Sequence, residues 1–192
     1  LPTTLTSIGI STFEGCTSLV SITIPEGVTT IGRDTFNGCT NLTSVTIPNG
    51  VIDIGYSAFY NCRRLAHIKI PNSVTSIGMY AFNTCRSLTN IAIPDSVTSI
   101  GSSAFNGCKN LKRVDIPSSI ALIDDYAFNN CENIYEIHFE GDIPPLIGED
   151  VFEGIGSDFK IFVPEDKFTE YKNKLDNYKD YIYPKPKNND II

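Results

Sequence analysis

The chain has 192 residues, 41% of them hydrophobic, and a formal net charge of -7. This length and apolar content allow one elongated domain with a continuous buried core. The acidic balance, with acids and bases interspersed, argues against general nucleic-acid binding, which requires a strongly basic surface. No apolar run approaches the length of a membrane-spanning helix, so we do not expect the chain to span a membrane.

An internal repeat organises the sequence. Six cysteines recur every 23 residues from Cys16 to Cys131, and a phenylalanine stands three positions before each of them, from Phe13 to Phe128. The consensus unit is I-P-x-x-V-T-x-I-G-x-x-A-F-x-x-C-x-x-L-x-x-I-x. A fixed period of this length is typical of a solenoid, in which each repeat forms one coil and stacks the same side chains on its neighbours. We predict about seven coils.

The first residues of the chain already follow the repeat. Leu1 and Pro2 occupy the Ile-Pro phase, and Leu5 and Ile8 occupy the apolar phases that come next. We therefore expect the chain to begin inside a repeat, without a polar cap over the first coil. An uncapped coil can stack on a second copy of itself, so we also expect that the N-terminus can self-associate end to end.

Each repeat contains two extended segments. Residues 42–47 alternate apolar and polar side chains, which is typical of a half-buried strand. Pro48 ends that strand, because proline lacks the N–H that a strand ladder needs. Strands of neighbouring coils should pair in parallel and form one continuous sheet along one wall. A second, shorter extended piece follows, as at residues 28–31.

The rest of the unit predicts a bend followed by a short turn. A glycine recurs once per coil, as at Gly32, and suits a bend with positive φ. Asp124 stands in the sixth glycine position, and aspartate is among the few residues that tolerate that geometry. The A-F-x-x-C segment is too short for a stable helix. We predict a single helical or 3₁₀ turn there, which directs phenylalanine and cysteine into the core.

A seventh, degenerate coil follows the six regular ones. Ile143, Gly148, Phe152 and Ile155 follow the repeat with one inserted residue, and residues 161–164 supply the strand of this coil.

The pattern becomes helical after Pro164. Four apolar or aromatic residues recur on one face of the predicted helix: Phe168, Tyr171, Leu175 and Tyr178. We predict a helical cap over residues 165–183, and then a tail that contains Pro184 and Pro186. The predicted domains are the solenoid, 1–164, and the C-terminal helical cap with its tail, 165–192.

The six cysteines allow three interpretations. Cysteines on adjacent coils would lie about 5 Å apart, inside the Cα window for a disulfide, but their Cβ vectors would run parallel. A zinc site needs converging ligands, usually in close C-x-x-C pairs, which the sequence lacks. The role of a small buried hydrophobic residue is therefore favoured, while a disulfide and a metal site stay open as alternatives.

The columns I-P-x-x-V-T-x-I-G-x-x-A-F-x-x-C-x-x-L-x-x-I closely resemble the BspA-like leucine-rich repeat family. The resemblance covers residues 1–140 and continues loosely to Pro164. It implies a β-rich leucine-rich-repeat solenoid with a parallel sheet along one wall. It also implies a bacterial surface or secreted protein, located outside the cell or on its surface. Some relatives are adhesins that bind host matrix proteins, and the family has no catalytic motif.

The residues themselves give no support for catalysis. His67 and His138 are the only histidines, and they lie three coils apart at different phases, so they cannot share a nucleophilic site. The glycines recur once per coil for backbone reasons and form no phosphate-binding loop. We predict no enzymatic activity and no cofactor, and we name no metal-binding residues.

One column of the repeat is basic. Arg63, Arg86 and Lys109 occupy the same phase in three consecutive coils, just before the strand. Like charges stacked about 5 Å apart are mildly destabilising, and an acidic protein or glycan partner would explain them. The alternative is that these long side chains extend into water without a function. Further candidates for macromolecule binding lie nearby: Arg64, His67, Lys69, Lys112 and Arg113.

These observations favour a non-enzymatic binding module. Its partner is an unidentified macromolecule, such as a host matrix protein or a glycan, recognised through the strand wall and the basic column. A preformed extended sheet suits this role because little ordering accompanies binding. Two alternatives stay open: a rigid structural spacer that presents other domains of a larger surface protein, and an intracellular scaffold, since free thiols are compatible with the cytosol.

Overall fold

The computed structural model describes residues 1–185, which form a parallel β-solenoid of about seven turns and a short C-terminal helix. The predicted leucine-rich-repeat architecture is therefore confirmed. The back wall is one sheet of six short parallel strands, each ending just before the repeated glycine or its substitute. These strands are β2 (Thr30–Ile31), β4 (Asp53–Ile54), β5 (Ser76–Ile77), β7 (Ser99–Ile100), β9 (Leu122–Ile123) and β11 (Leu146–Ile147).

The front wall holds the longer strands, which follow the cysteine of each repeat. Its first sheet consists of β1 (Ser21–Thr23) and β3 (Ser44–Thr46). Its second sheet contains β6 (Asn90–Ala92), β8 (Arg113–Ile116), β10 (Glu136–Phe139), β12 (Lys160–Val163) and β13 (Ile182–Pro184). The third turn contributes a bridge between Lys69 and Ala92. The sheet predicted along this wall is thus divided in two, and the uninterrupted sheet lies on the back wall.

The core consists of columns of identical side chains. The rings from Phe13 to Phe128 stack almost in parallel, with 5.2–5.3 Å between successive centroids. Phe152 continues the column at 6.0 Å. The register of the strands explains these columns. Ile31 pairs with Ile54, 23 positions later, so the side chains at each apolar position of the repeat stack on one another inside the solenoid.

The repeated glycine serves close stacking and not the positive φ that we predicted. Within residues 1–185, Gly32 and Gly101 have no positive φ, and neither has Asp124. A Cβ on Gly101 would lie 2.6 Å from the backbone nitrogen of Met79 in the preceding turn. Such a contact is too short for non-bonded atoms, so the missing side chain allows the turns to approach each other.

Positive φ occurs at two other positions of each turn. One lies two residues after the glycine, as at Ser57 (51°), and the other precedes the cysteine, as at Asn61 (60°) and Gly107 (71°). Both positions fall in or beside the segment that we predicted as a helical or 3₁₀ turn. Because left-handed residues interrupt it, this segment is a series of tight turns, in which the Cys62 N–H donates to the Phe59 carbonyl.

Thr84 is the strained member of the left-handed column that precedes the cysteines. Its φ is 56°, which a β-branched residue rarely adopts. Within residues 1–185 its hydroxyl is also buried without a hydrogen-bond partner. We expect Thr84→Gly to raise the free energy of unfolding by about 1 kcal/mol, because it removes both penalties. Urea unfolding followed by circular dichroism measures the change.

The control for this prediction is Thr84→Ala, which removes the hydroxyl but keeps a Cβ on a left-handed residue. Its stabilisation should be smaller than that of Thr84→Gly. Equal stability of Thr84→Gly and the wild type would show that the local backbone carries no strain.

The seventh turn contains the predicted insertion. Leu146 pairs with Leu122, which is 24 positions earlier instead of 23. Pro144 is buried, whereas Ile143 is 78% exposed. Our prediction that Ile143 follows the apolar phase was therefore wrong, because the insertion shifts that phase to Pro144.

A short helical segment covers the last turn. It comprises the 3₁₀ helix Glu165–Lys167, the helix α1 (Phe168–Lys174) and the 3₁₀ helix Asp176–Tyr181. Tyr171 and Leu175 are buried, as the apolar face predicted. The Tyr171 hydroxyl donates to the Gly141 carbonyl at 2.8 Å and so ties the helix to the solenoid.

The chain then returns to the front wall. Residues 182–184, which we predicted as the end of the cap and the start of the tail, form β13 and pair with β12. Pro184 therefore belongs to an edge strand, where the missing N–H is tolerated. Residues 186–192 of the predicted tail lie outside the described residues. None of the helices in residues 1–185 has the length and apolar composition that a membrane crossing requires.

Candidate functional site

The predicted basic column lies at one edge of the front wall, where the turn after the cysteine leads into the strand. The backbone N–H of Arg63 donates to the Asn61 carbonyl, and that of Arg86 donates to the Thr84 carbonyl. Lys109 has the equivalent bond, so the three basic residues hold the same position in successive turns. The side chains of Arg63 and Arg86 are exposed.

The column ends in an acidic residue. Lys109 Nζ lies 2.5 Å from Oε1 of Glu132, which has the same phase one turn further along. Arg63 Nε donates to Oδ1 of its neighbour Asn61 at 2.7 Å. Neither Arg63 nor Arg86 forms a salt bridge with any residue between 1 and 185. These two arginines are therefore the cations of the column that lack an acidic partner in this part of the chain.

Two other candidates are engaged within the protein. Arg113 donates two hydrogen bonds to Asp115 Oδ1, at 2.9 and 2.7 Å, and its Nη1 lies 3.7 Å from Glu136 Oε2. The hydrogen bond with Asp115 also raises the pKa of Arg113. His67 Nδ1 lies 3.2 Å from Asn90 Oδ1. These contacts run along and between strands, so the spacing of the basic residues alone did not indicate them.

Lys112 lies at a concavity beside the column. The concavity has a volume of about 530 Å³ and is lined by Thr89, Asn110, Lys112, Asn133 and Tyr135. Tyr135 is 51% exposed, so an aromatic ring, a cation and two amides face one opening. The candidate list from the sequence omitted the asparagines, although their shared phase was visible.

The remaining candidates, Arg64 and Lys69, are exposed. Like Arg63, Arg86 and Lys112, they make no salt bridge within the described part of the chain. We call these five residues the basic edge. Compared with the eight predicted candidates, it excludes Lys109 and Arg113, which are paired with acids, and His67, which contacts an amide.

One group of side chains on the front wall could hold a cation, which the sequence did not indicate. Ligand atoms of Asp115, His138 and Glu140 lie within 4.8 Å of one another. Both carboxylates, however, already accept from basic groups, Arg113 and Lys185. His138 Nε2 lies 3.1 Å from a carboxylate oxygen of Glu136. Because these side chains already interact with other groups of the protein, we assign no metal site to them.

Five of the six cysteines, from Cys39 to Cys131, form a buried column and not a reactive site. The first, Cys16, is exposed, so the predicted burial is wrong for this one position. From Cys39 to Cys131 each thiol donates to the carbonyl of the phenylalanine 26 positions earlier, at 3.0–3.2 Å. Burial raises the pKa of Cys85 and Cys131 to about 12, and it raises that of Cys108 well above its ordinary value. A protonated, buried thiol is a poor nucleophile and a poor metal ligand.

Solved structures of bacterial leucine-rich repeat proteins are similar to this chain. A Treponema pallidum protein, TpLRR, is 32% identical, with a TM-score of 0.78 over 91% of this chain and 81% of that chain. The pneumococcal vaccine antigen PcpA is 21% identical, with a TM-score of 0.66 over 95% of this chain and 45% of that one. A Bacteroides ovatus protein is 24% identical, with a TM-score of 0.58 over 83% of this chain and 59% of that one.

Among curated protein sequences, none matches the chain. The family model of the BspA-type leucine-rich repeat region matches six copies, over residues 1–75 and 52–175. Bacterial leucine-rich repeat proteins of this kind generally bind proteins or have structural roles, and the solenoid fold is typically non-enzymatic. The family match covers most of the sequence and agrees with the predicted resemblance, so the chain belongs to the BspA-type leucine-rich repeat family.

Proposed function

We propose that the protein is a non-enzymatic binding module, on the bacterial cell surface or secreted, that recognises an acidic host matrix protein or glycan. The basic edge and the adjoining front wall would form the contact surface. The observation that supports this proposal is that the cations of the basic edge make no salt bridge with described residues. Five cations lie on three successive turns without salt bridges to described residues, in a chain with 22 acidic residues.

The fold favours binding at this edge. The backbone N–H groups of Arg63 and Arg86 are hydrogen-bonded within their turns, and that of Lys112 donates to the Thr89 carbonyl of the preceding turn. Lys69 lies in a bridge with Ala92. The positions of the cations are therefore set before a partner arrives, and only side-chain freedom is lost on binding. A partner that neutralises several cations at once also relieves their mutual repulsion.

We predict that Arg63→Ser, Arg86→Ser and Lys109→Ser together weaken binding of an acidic partner at least about tenfold, because surface charge complementarity is lost. A panel of purified host matrix proteins and acidic glycans identifies the partner, and surface plasmon resonance at two salt concentrations measures the affinity. The wild-type affinity should fall with salt, and the affinity of the variant should fall less.

The charge-matched control changes three lysines of the helical segment to serine: Lys167, Lys174 and Lys179. It removes the same charge far from the basic edge, so it should leave the affinity nearly unchanged. Since Lys109 is paired with Glu132, the two arginine substitutions alone should account for most of the loss. Unchanged binding by the triple variant would remove the basic edge from the proposed function.

A structural role as a spacer is the second candidate, and the phenylalanine column supports it. Stacked rings run from Phe13 to Phe152 without interruption, which makes the solenoid a stiff rod. A spacer requires no ligand. The spacer role is therefore favoured if the panel retains no partner and small-angle scattering shows one rigid rod in solution.

A further inference from the structure

A second concavity lies on the lateral face of the solenoid, where the turns that connect the back wall to the front wall are exposed. Its volume is about 490 Å³, within the range of about 300–1,000 Å³ that is typical of small-ligand sites. Seven residues line it: Arg33, Asp34, Asn37, Tyr56, Ser57, Tyr60 and Tyr80. We call this the tyrosine site. It is separate from the basic edge and shares no residue with it.

The fold does not require these tyrosines. Tyr60 has the phase at which other turns have Asn83 and Asn106, and Tyr80 has the phase of Ser57 and Ser103. Those turns stack equally well with small polar residues. Tyr56 and Tyr60 remain 40% and 37% exposed, so core packing does not account for them.

Tyr80 is also held in an unfavourable backbone conformation. Its φ is 58°, in the left-handed region that small polar residues tolerate better than a bulky aromatic one. The serines at the same phase, such as Ser57 with a φ of 51°, meet the same requirement at a lower energetic cost. Tyr80 is half-buried and combines this backbone cost with a position in the lining of the concavity, which Tyr126 at the same phase does not share.

Five side chains of the tyrosine site contact one another in the absence of a ligand. The rings of Tyr56 and Tyr80 meet edge to face, with 5.7 Å between centroids. The Arg33 guanidinium lies 4.8 Å from the Tyr56 centroid. Asp34 accepts from Arg33 Nε at 3.0 Å and from Asn37 Nδ2 at 3.1 Å. The site therefore combines rigid aromatic rings with an ordered set of polar groups.

We propose that the tyrosine site binds a neutral saccharide. The C–H face of a pyranose ring packs on the negative face of an aromatic ring, and its hydroxyls match the donors and acceptors of tyrosine, asparagine and aspartate side chains. Arg33 and Asp34 neutralise each other, so the lining has no net charge to attract an anion. An acidic glycan or protein would instead be drawn to the basic edge.

The test uses the full chain on a panel of immobilised neutral and acidic oligosaccharides, followed by calorimetry with a retained neutral oligosaccharide. The variant is Tyr60→Asn with Tyr80→Ser, which installs residues that the repeat already uses at these phases. The control is Tyr126→Ser: Tyr126 has the phase and left-handed backbone of Tyr80, with a φ of 59°, but does not line the site. Both variants should fold and melt no lower than the wild type.

We expect the double variant to lose affinity for the neutral oligosaccharide at least about tenfold, as removal of aromatic anchors does, and Tyr126→Ser to keep it. The triple variant at Arg63, Arg86 and Lys109 should also keep this affinity. The saccharide proposal and the proposed function can therefore fail independently of each other. Three results would overturn the assignment. In the first, the wild-type protein binds none of the neutral oligosaccharides on the panel, so the site has no such ligand. In the second, the double variant binds the oligosaccharide as well as the wild type does. In the third, the two substitutions weaken binding of a protein partner only.

Discussion

Raising the pH from 8 to 10 should lower the free energy of unfolding by several kcal/mol, because the unfolded chain can ionise thiols that the folded chain keeps protonated. The ordinary thiol pKa is 9.0, and burial raises it to about 12 for Cys85 and Cys131. A raised folded-state pKa means that the stabilising contribution is complete below pH 9 and is lost between pH 9 and the folded-state pKa.

The size of the effect follows from the number of thiols. At about pH 10 each thiol with a strongly raised pKa contributes a loss of about 1.4 kcal/mol. Five such thiols, Cys39, Cys62, Cys85, Cys108 and Cys131, together give about 7 kcal/mol. This loss is comparable with the whole stability of many domains.

Urea unfolding at both pH values, followed by circular dichroism with a reductant present, measures this loss. Cys85→Ala is the informative variant, because it removes one buried thiol from the column. Its stability at pH 8 should be lower, but the loss between pH 8 and pH 10 should shrink by about a fifth. A pH dependence equal in the variant and the wild type would show that the thiols do not control alkaline unfolding.

The second large effect concerns the phenylalanine column. Phe82→Ala should lower the free energy of unfolding by about 3–5 kcal/mol, because it leaves a cavity between two stacked neighbours. The ring is fully buried, and its centroid lies 5.3 Å from those of Phe59 and Phe105. Urea unfolding at neutral pH measures the loss, and an unchanged m-value would show that the variant still unfolds as one unit.

Phe13→Ala is the matched control. Phe13 has the same phase, but it is half-buried and stacks on one ring of the column, Phe36, at 5.3 Å. We expect its substitution to cost no more than about half as much, because less surface leaves water on folding and the site can collapse. Equal losses for the two variants would contradict the view that the column is continuous and stabilised by neighbours on both sides.

The core was predictable because burial in the stacked turns alone determines which residues occupy it. Phe82, Cys85 and Leu88 must each fit the same interior position in every turn, so their phase alone shows that they are buried. Glycine was less informative. A recurrent Gly101 is compatible both with positive φ and with close approach of another backbone, and the sequence does not distinguish these two requirements.

The candidate site was harder to predict, because exposed residues are determined by neighbours from other turns. The phase of Lys109 and Arg113 was predictable, but their salt bridges with Glu132 and Glu136 depend on rotamers. The tyrosine site was missed for a related reason. Tyr56 and Tyr80 lie at different phases, and they meet because one turn stacks directly on the next.

The register of the back wall has an evolutionary consequence. Because Thr30 pairs with Asp53 and Ser76 pairs with Ser99 by one shared rule, an in-frame duplication or deletion of a single repeat preserves the hydrogen bonds of all other turns. Genes of this kind can therefore gain or lose repeats by recombination, and the protein encoded after each step keeps the same fold. Each repeat that is gained or lost between two surface patches then changes the distance between them by one strand spacing, about 4.8 Å.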